Sequence, residues 1–357
     1  MSTLPIILVG CGAVARQFYT PALRALAATG EVRVAAIVDP SADARALLHA
    51  AFPDAIPAAD LDHLSLPNAY PAADTLAVIA SPPRWHASQT LDALDRGWHV
   101  LCEKPMAARA AESARMIAAA DSADRVLAVG HYKRFFAASQ TLKTLCSPLG
   151  ALGPLHSFTI AEGGPFNWPA ASPAFFQKRE TPGGVLLDIG VHVFDLLLWW
   201  LGAPSEFTYA DDAMGGLEAN ARVSLRFGAV TGQIHLSRDW TTAQRYEFEF
   251  DHGRVVWTVN DAAGLAVTLR GAPHSLRGTL QEPDGAPAHT HAQSFIAHLR
   301  HVVSAVKNHT PVLIDGREGA RALHLIEACY ARRHLLAQPW LAPAESAAAQ
   351  RLATSTA

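Results

Sequence analysis

The first third of the chain alternates short apolar runs with segments of helix-forming residues, and each apolar run ends at turn residues. The runs are Leu4 to Val9, Val32 to Val38, Thr75 to Ala80 and Trp98 to Cys102. Helices are predicted over Arg16 to Ala28, about His86 to Arg96 and about Ala110 to Ala120. This alternation predicts a parallel β-sheet covered by helices. The residues that follow the strands of such a sheet meet at one edge, where ligands bind.

The turn after the first run has the glycine spacing of a phosphate-binding loop. Gly10, Gly12 and Ala15 form a GxGxxA pattern, with Ala13 and Val14 inside it. The glycines permit a tight turn and let the backbone approach a pyrophosphate at the N-terminus of the following helix. The pattern alone also occurs in ordinary glycine-rich loops. Its position between a strand and a helix therefore carries the prediction.

The end of the second run indicates which dinucleotide is bound. Asp39 stands there, 27 residues after Gly12. A carboxylate at this place can accept hydrogen bonds from an adenosine ribose and repels a 2'-phosphate, which favours NAD. Ser41 and Arg45 lie close enough in sequence to leave NADP open.

Lys104 is the residue of this half that is best suited to chemistry. Its ammonium follows a buried strand and precedes a proline that fixes the local backbone, so it can polarise a carbonyl oxygen or donate a proton to it. The alternative is a surface lysine in a turn.

The residues predicted to bind the dinucleotide are Gly10, Gly12, Ala13, Val14, Asp39, Ser81, Pro82, His86, Glu103 and Lys104.

A second group of chemical interest lies in the apolar stretch from Gly183 to Asp195. Asp188 and His192 stand four residues apart there, a spacing that places both side chains on one face of a helix. A carboxylate and an imidazole are costly to bury without partners, so the pair indicates an oriented base. The alternative is a histidine of the core that plays no part in chemistry.

Four motifs stand together in the order and spacing of one protein family. They are Gly10-x-Gly12-x-x-Ala15, Ser81-Pro82-Pro83-x-x-His86, Glu103-Lys104-Pro105 and Asp188-x-Gly190-x-His192. From residue 4 to about residue 335, the chain resembles the Gfo/Idh/MocA oxidoreductases, the group of glucose-fructose oxidoreductase and inositol dehydrogenase. The resemblance implies an α/β protein with an N-terminal Rossmann domain, built on a doubly wound parallel sheet. It further implies a C-terminal α+β domain with a large, mainly antiparallel sheet.

The domain organisation follows from this resemblance and from the second half of the chain. Residues 1–125 are predicted to form the NAD(P)-binding domain and residues 126–340 the substrate-binding and oligomerisation domain. Helices over Val185 to Trp200 and Ala292 to Lys307 could cover one face of the second sheet. In the family the other face often pairs with another subunit, which implies a homodimer or homotetramer. The tail over 341–357 has little apolar periodicity and is predicted to be flexible.

By resemblance, Lys104, Asp188 and His192 form the catalytic group. Alcohol oxidation loses a hydride to the nicotinamide and a proton to a base; His192 is the best base, Asp188 would orient it and Lys104 would hold the reacting oxygen. Which of Lys104 and His192 accepts the proton stays open. The residues predicted to contact the substrate are Lys104, Arg134, Asn167, Trp168, Lys178, Arg179 and His192. Four of them belong to the loop over 162–179, where each could instead be an ordinary loop residue.

These residues predict an NAD(P)-dependent oxidoreductase that transfers a hydride between nicotinamide and a hydroxyl carbon of a sugar, cyclitol or related polyol. Two alternatives remain. A glycosidase that uses NAD through transient oxidation needs the same residues. A non-catalytic NAD(P)-binding sensor would keep the glycines and Asp39 but could lose Lys104 or His192. Both residues are present, which favours an enzyme.

Composition excludes several other classes of protein. The formal net charge is -3 and the basic residues form no run of five or six, so no nucleic-acid partner is predicted. Asp188, His192 and Asp195 interrupt the apolar stretch from Val185 to Leu201, so no membrane span is predicted. The four cysteines form no CxxC pair and the 17 histidines form no HExxH motif, so no metal is predicted and a reducing cytoplasm is expected.

Overall fold

The computed structural model describes residues 3–169 and 176–354. The chain divides into two compact units, each assembled from separated segments. The first unit comprises Met1–Tyr132, Trp168–Phe175 and Phe295–Leu323, and the second comprises Lys133–Asn167, Phe176–Ser294 and His324–Ala357. The sequence-based division into 1–125 and 126–340 placed the boundary close to residue 132. The later segments of the first unit lie far in sequence from its main part, so local sequence patterns do not indicate them.

The first unit contains a six-stranded parallel sheet. Its strands are β1 (Leu4–Val9), β2 (Val32–Val38), β3 (Ile56–Ala58), β4 (Leu76–Ile79), β5 (His99–Cys102) and β6 (Leu127–Val129). Their order in the sheet is β3-β2-β1-β4-β5-β6, the Rossmann order. β1, β4 and β5 are buried along their whole length, as expected for strands whose two faces are both covered.

Helices cover this sheet. They are α1 (Thr20–Ala28), α2 (Ala42–His49), α3 (Pro83–Asp95) and α4 (Ala110–Ala123). A π-helical turn over Ala15–Tyr19 precedes α1. α3 begins at a proline, which suits the first turn of a helix because the amide hydrogen it lacks would have no partner there. The predicted helices therefore lie where the sequence pattern placed them, within a few residues at their ends.

Another helix, α7 (His291–Asn308), corrects one sequence-based expectation. Residues 292–307 were expected to cover the second sheet. Their apolar side chains instead belong to the core of the first unit, together with Ile6 and Leu8 of β1. The side chains are Phe295, Leu299, Val302, Val303 and Val306. The periodicity of the sequence defines an apolar face of the helix, but it does not specify which sheet that face covers.

The second unit is built on a nine-stranded sheet within the described residues. Its strands are β7 (Leu155–Gly163), β8 (Glu206–Asp211), β9 (Asn220–Phe227), β10 (Val230–Ser237), β11 (Arg245–Phe250), β12 (Gly253–Thr258), β13 (Gly264–Leu269), β14 (Leu276–Thr279) and β15 (Arg333–Leu335). The order is β14-β13-β12-β11-β7-β10-β9-β8-β15. The pairs β7–β10 and β8–β15 are parallel and the other neighbours are antiparallel. This confirms the large, mainly antiparallel sheet.

The remaining helices are α5 (Ala137–Leu145), α6 (Val191–Leu201), α8 (Gly316–Ala331) and α9 (Pro343–Thr354). α9 lies within the range 341–357, whose flexibility stays a prediction. Ala349 and Ala353 are buried, and the Gln350 side chain accepts a hydrogen bond from the Leu335 amide of β15 at 2.6 Å. Alanines give a weak periodic signal, yet their small side chains allow close packing. None of the described helices is both long enough and apolar enough to cross a membrane.

Candidate functional site

The glycine turn after β1 has one glycine required by the backbone and one that leaves space. Gly10 has a φ of 93°, and a Cβ added there would lie 2.5 Å from the Ser81 amide nitrogen. A Cβ added at Gly12 would meet no described protein atom within 4 Å. Ala13 then begins the helical segment. An open backbone at the start of a helix is the cradle that a pyrophosphate needs, so the turn fits a dinucleotide.

Asp39 belongs to the same cluster. One of its carboxylate oxygens accepts a hydrogen bond from the Cys11 amide at 2.8 Å, and the other accepts one from the Ser41 amide at 2.8 Å. The Arg45 guanidinium donates to the Asp39 carbonyl oxygen. The carboxylate thus links the end of β2 to the glycine turn, with a cation beside it. Burial, and then Asp39, raises the pKa of the Cys11 thiol to about 12, so this cysteine is not a nucleophile.

His86 connects the two loops that follow β4 and β5. Its Nε2 lies 2.8 Å from the Ser81 carbonyl oxygen and its Nδ1 lies 2.8 Å from the Pro105 carbonyl oxygen. The ring is buried, and burial lowers its pKa although both carbonyls favour the charged ring. His86 therefore connects the two predicted cofactor loops, and its own contact with the cofactor stays a prediction.

The Glu103 side chain stabilises the backbone at Lys104. Its carboxylate accepts hydrogen bonds from the Tyr19 hydroxyl at 2.8 Å and from the Lys104 amide at 3.1 Å. A Cβ added at Gly130, the residue after β6, would lie 2.8 Å from this carboxylate. A side chain at this position would therefore clash with Glu103. Burial raises the pKa of Glu103 above its ordinary value. Tyr19 was missed by sequence reasoning, since an aromatic residue on an amphipathic helix gives no signal beyond core packing.

In the second unit, Asp188 and His192 lie at the junction of two kinds of helix. Asp188 is in a π-helical turn over Leu186–Gly190, and His192 is in the first turn of α6. The predicted helix is therefore present, and a π-helical turn forms its first part. Such turns often occur at functional sites. His192 is 9% exposed.

Asp188 has a strong partner that the sequence did not indicate. Arg238, which follows β10, donates from Nη2 to the Asp188 carboxylate at 3.0 Å. The guanidinium is buried and lies 5.6 Å from the centre of the Phe166 ring. This ion pair places a guanidinium directly beside the Asp188 carboxylate and restricts its position.

The residues predicted to contact the substrate differ in how deeply they are buried. Arg134 is 1% exposed, and its guanidinium donates to both carboxylate oxygens of Asp195 on α6. This ion pair ties the segment after β6 to α6, and a substrate contact by Arg134 stays a prediction. In the first unit, the Trp168 ring lies parallel to Phe18, with their centres 6.2 Å apart.

The other predicted contacts are exposed residues of the second unit. Asn167 is exposed at the end of its described segment. Lys178 donates to the Gly215 carbonyl oxygen at 3.1 Å, and Arg179 donates to the Gln177 side chain at 3.1 Å. Both side chains lie at the surface, where a small ligand could replace these hydrogen bonds.

Two family models match the chain. A model of an oxidoreductase family with an NAD-binding Rossmann fold matches residues 4–131, and a model of the GFO/IDH/MocA C-terminal domain matches residues 140–256. The chain belongs to the Gfo/Idh/MocA oxidoreductase family. Its first unit accordingly contains an NAD-binding domain.

Similar proteins cover between 70% and 93% of the chain. The rhizopine catabolism protein MocA of Rhizobium meliloti is 28% identical over 349 residues, which are 92% of this chain and 94% of that protein. The myo-inositol 2-dehydrogenase of Thermotoga maritima is 25% identical over 265 residues, 70% of this chain and 74% of that enzyme. A solved oxidoreductase of Agrobacterium radiobacter, in complex with NAD+, L-tartaric acid and magnesium, has a TM-score of 0.75 at 18% identity. It covers 93% of this chain and 96% of its own, and it shows the fold.

Family membership confirms three predictions made from the motifs: the resemblance itself, the fold of two different sheets and the nicotinamide cofactor. This Gfo/Idh/MocA protein is an NAD(P)-dependent oxidoreductase. The comparisons give no support to a glycosidase or to a non-catalytic sensor.

Proposed function

We propose that this oxidoreductase transfers a hydride between nicotinamide and a hydroxyl-bearing carbon of a free sugar, cyclitol or related polyol. The observation that carries the proposal is the pairing of an NAD-binding unit with a second unit that contains the Asp188/His192 pair. A relative named myo-inositol 2-dehydrogenase supports the substrate class. NAD and NADP are both compatible with the family.

The cofactor would be held by the loops after β1, β2, β4 and β5. Gly10, Gly12, Ala13 and Val14 would face the pyrophosphate, Asp39 the adenosine ribose, and Ser81, Pro82, Glu103 and Lys104 would complete the edge of the sheet. The bound nicotinamide supplies a hydride acceptor or donor. His86 and Glu103 would act by holding these loops in place, since their side chains are engaged by the protein.

Three residues would carry out the proton chemistry. Lys104 would donate a hydrogen bond to the reacting oxygen and stabilise its developing charge. His192 would take the hydroxyl proton, because a neutral imidazole is the better base near neutral pH. Asp188 would orient His192 and stabilise its protonated form, while the ion pair with Arg238 holds Asp188 in place. Trp168, Asn167, Lys178 and Arg179 are proposed to contact the substrate.

We expect wild-type protein to bind NADH more tightly than NADPH, because the Asp39 carboxylate repels a 2'-phosphate. Asp39→Ala should narrow that difference, and Asp43→Ala, which changes an exposed carboxylate on the next helix, should not. Fluorescence titration of both reduced cofactors measures the four affinities. Equal affinities in the wild type would show that Arg45 outweighs Asp39.

Asp188→Asn is expected to slow turnover by at least about tenfold and to change its dependence on pH near neutrality, because an amide cannot stabilise the imidazolium of His192. The measurement is kcat against pH on an accepted substrate. Asp284→Asn, at an exposed loop position, is the control. If the Asp188→Asn profile matches that of the wild type, Asp188 takes no part in proton transfer.

A substrate panel tests the proposed function. Purified protein is mixed with NAD+ or NADP+ and with single sugars, cyclitols or sugar nucleotides, and absorbance of the reduced cofactor is followed. We expect the reduced cofactor to accumulate with at least one free sugar or cyclitol. Cleavage of a glycoside with no net change in cofactor would instead identify a glycosidase. The proposal fails if no member is oxidised by protein that binds the cofactor.

We also propose that the protein forms a homodimer or homotetramer through the polar face of the second sheet. That face bears cross-strand ion pairs, from Arg254 to Glu247 and Glu249 and from Arg226 to Glu206. Light scattering should give two or four times the mass of one chain, and a monomer would contradict the proposal. Four widely spaced free cysteines support a cytoplasmic location, where thiols remain reduced.

A further inference from the structure

A buried carboxylate holds the start of the helical segment that carries Asp188 and His192. Glu218, on the loop between β8 and β9, is 1% exposed. Its Oε1 accepts hydrogen bonds from the Gly184 amide at 2.8 Å, the Leu186 amide at 3.1 Å and the Tyr330 hydroxyl at 2.7 Å. Its main-chain carbonyl accepts a fourth bond, from the Val185 amide at 3.0 Å. Three consecutive amides at the start of this segment are therefore bound by one residue.

The two glycines before the segment are explained by the same residue and its neighbour. A Cβ added at Gly184 would lie 2.0 Å from the Glu218 carbonyl oxygen. A Cβ added at Gly183 would lie 2.0 Å from the Tyr330 hydroxyl oxygen. The segment can approach Glu218 and Tyr330 this closely only because both positions lack a side chain.

A second layer of charge keeps Glu218 in place. Arg333 on β15 lies with Nη2 3.7 Å from the Glu218 carboxylate and with Nε 2.7 Å from the Asp211 carboxylate. Asp211 also accepts hydrogen bonds from the Tyr209 hydroxyl and from the Ala213 amide. All of these side chains are in the second unit and Asp211, Arg333 and Tyr209 are buried. Removing one member of such a network is costly because its partners stay buried.

We propose that Glu218, fixed by Tyr330 and Arg333, is a positioning residue for the reaction: it sets the place of Asp188 and His192 through the backbone of residues 184–186. This inference rests on the proposed function of that pair. A displacement of about 1 Å in a catalytic group can lower a rate about 10²-fold. Glu218 contacts neither of the two side chains in the contacts described above, so its effect passes through the helix start.

The test compares Glu218→Ala, Glu218→Gln and Tyr330→Phe with wild type. Glu218→Ala removes the acceptor and should lower kcat by about 10²-fold, with the NADH dissociation constant changed less than about twofold. Glu218→Gln keeps an amide oxygen that can accept from Gly184 and Leu186, so it should retain most of the rate. Tyr330→Phe removes one donor and should lower kcat by a few-fold. Glu282→Gln, at an exposed position after β14, is the matched control and should match wild type.

Hydrogen exchange supplies a readout that does not depend on activity. The Gly184 and Leu186 amides should exchange at least about tenfold faster in Glu218→Ala than in Glu218→Gln or wild type. Wild-type kcat in Glu218→Ala, or unchanged protection of these amides, overturns the proposal. If Glu218→Ala does not fold, Tyr330→Phe decides, and it must both speed exchange and lower kcat. If wild type oxidises no polyol while the amides respond as expected, the proposed function fails and the positioning of the segment stands.

Discussion

Lys104→Met and His192→Ala are each expected to lower kcat by about 10²- to 10⁴-fold while NADH still binds. Methionine keeps the length of the lysine side chain but removes the charge that would stabilise the reacting oxygen. Alanine removes the imidazole that would take the proton. Neither change removes the glycine turn or Asp39, so the binding of the adenosine and pyrophosphate parts is retained. Steady-state kinetics on an accepted polyol and fluorescence titration of NADH measure the two effects.

Exposed residues of the same types serve as controls for these variants. Lys143→Met on α5 and His274→Ala in the loop after β13 should keep wild-type kinetics, because both side chains are exposed. Wild-type kcat in His192→Ala would return the histidine to a purely structural role. Wild-type kcat in Lys104→Met would do the same for the lysine, and it would leave the turn after β5 as a cofactor-binding element alone.

Substitution by alanine should affect the free energy of unfolding very differently at Gly10 and at Gly12. Gly10→Ala places a Cβ 2.5 Å from the Ser81 amide nitrogen, in a conformation with φ of 93° that an alanine rarely adopts. Both problems involve backbone atoms, so we expect a loss of more than about 2 kcal/mol in the free energy of unfolding. Gly12→Ala meets no described protein atom within 4 Å, so its free energy of unfolding should change by less than about 0.5 kcal/mol.

The affinity for NADH distinguishes the roles of these glycines. The space beside Gly12 is where the backbone would approach the pyrophosphate, and a methyl group there should weaken NADH binding by at least about tenfold, or about 1.4 kcal/mol. Denaturant unfolding with and without NADH, combined with titration of the folded protein, measures both quantities. A Gly12→Ala variant that binds NADH as wild type does would mean that the pyrophosphate lies elsewhere.

The strands and loops of the first unit could be predicted because local signals mark them. β1, β2, β4 and β5 are apolar runs, as strands of a buried parallel sheet must be. Each run is followed closely by a glycine, aspartate, serine or glutamate. The residues after parallel strands meet at one edge of the sheet for a topological reason. Gly10, Asp39, Ser81 and Glu103 could therefore be assigned to that edge without knowledge of any distance.

Contacts between distant parts of the chain could not be predicted. The bond from Tyr19 to Glu103 joins residues 84 positions apart, the pair of Arg238 and Asp188 joins residues 50 apart, and Arg134 meets Asp195 across 61. A single charged or aromatic residue carries no periodic signal that names its partner. The partner of α7 was misassigned for the same reason: amphipathicity identifies the buried face of a helix and leaves the surface that covers it undetermined.

The most direct test of hydride transfer uses a polyol that carries deuterium on the oxidised carbon. The polyol is one that supports reduced-cofactor formation in the panel, and the reduced cofactor is analysed by mass spectrometry. We predict that the reduced nicotinamide carries the deuterium with wild type, and that His192→Ala yields the same labelled product at a greatly lower rate. Reduced cofactor without deuterium, or failure of every polyol to react with protein that binds NAD+ and NADP+, would contradict the assignment of a polyol oxidoreductase.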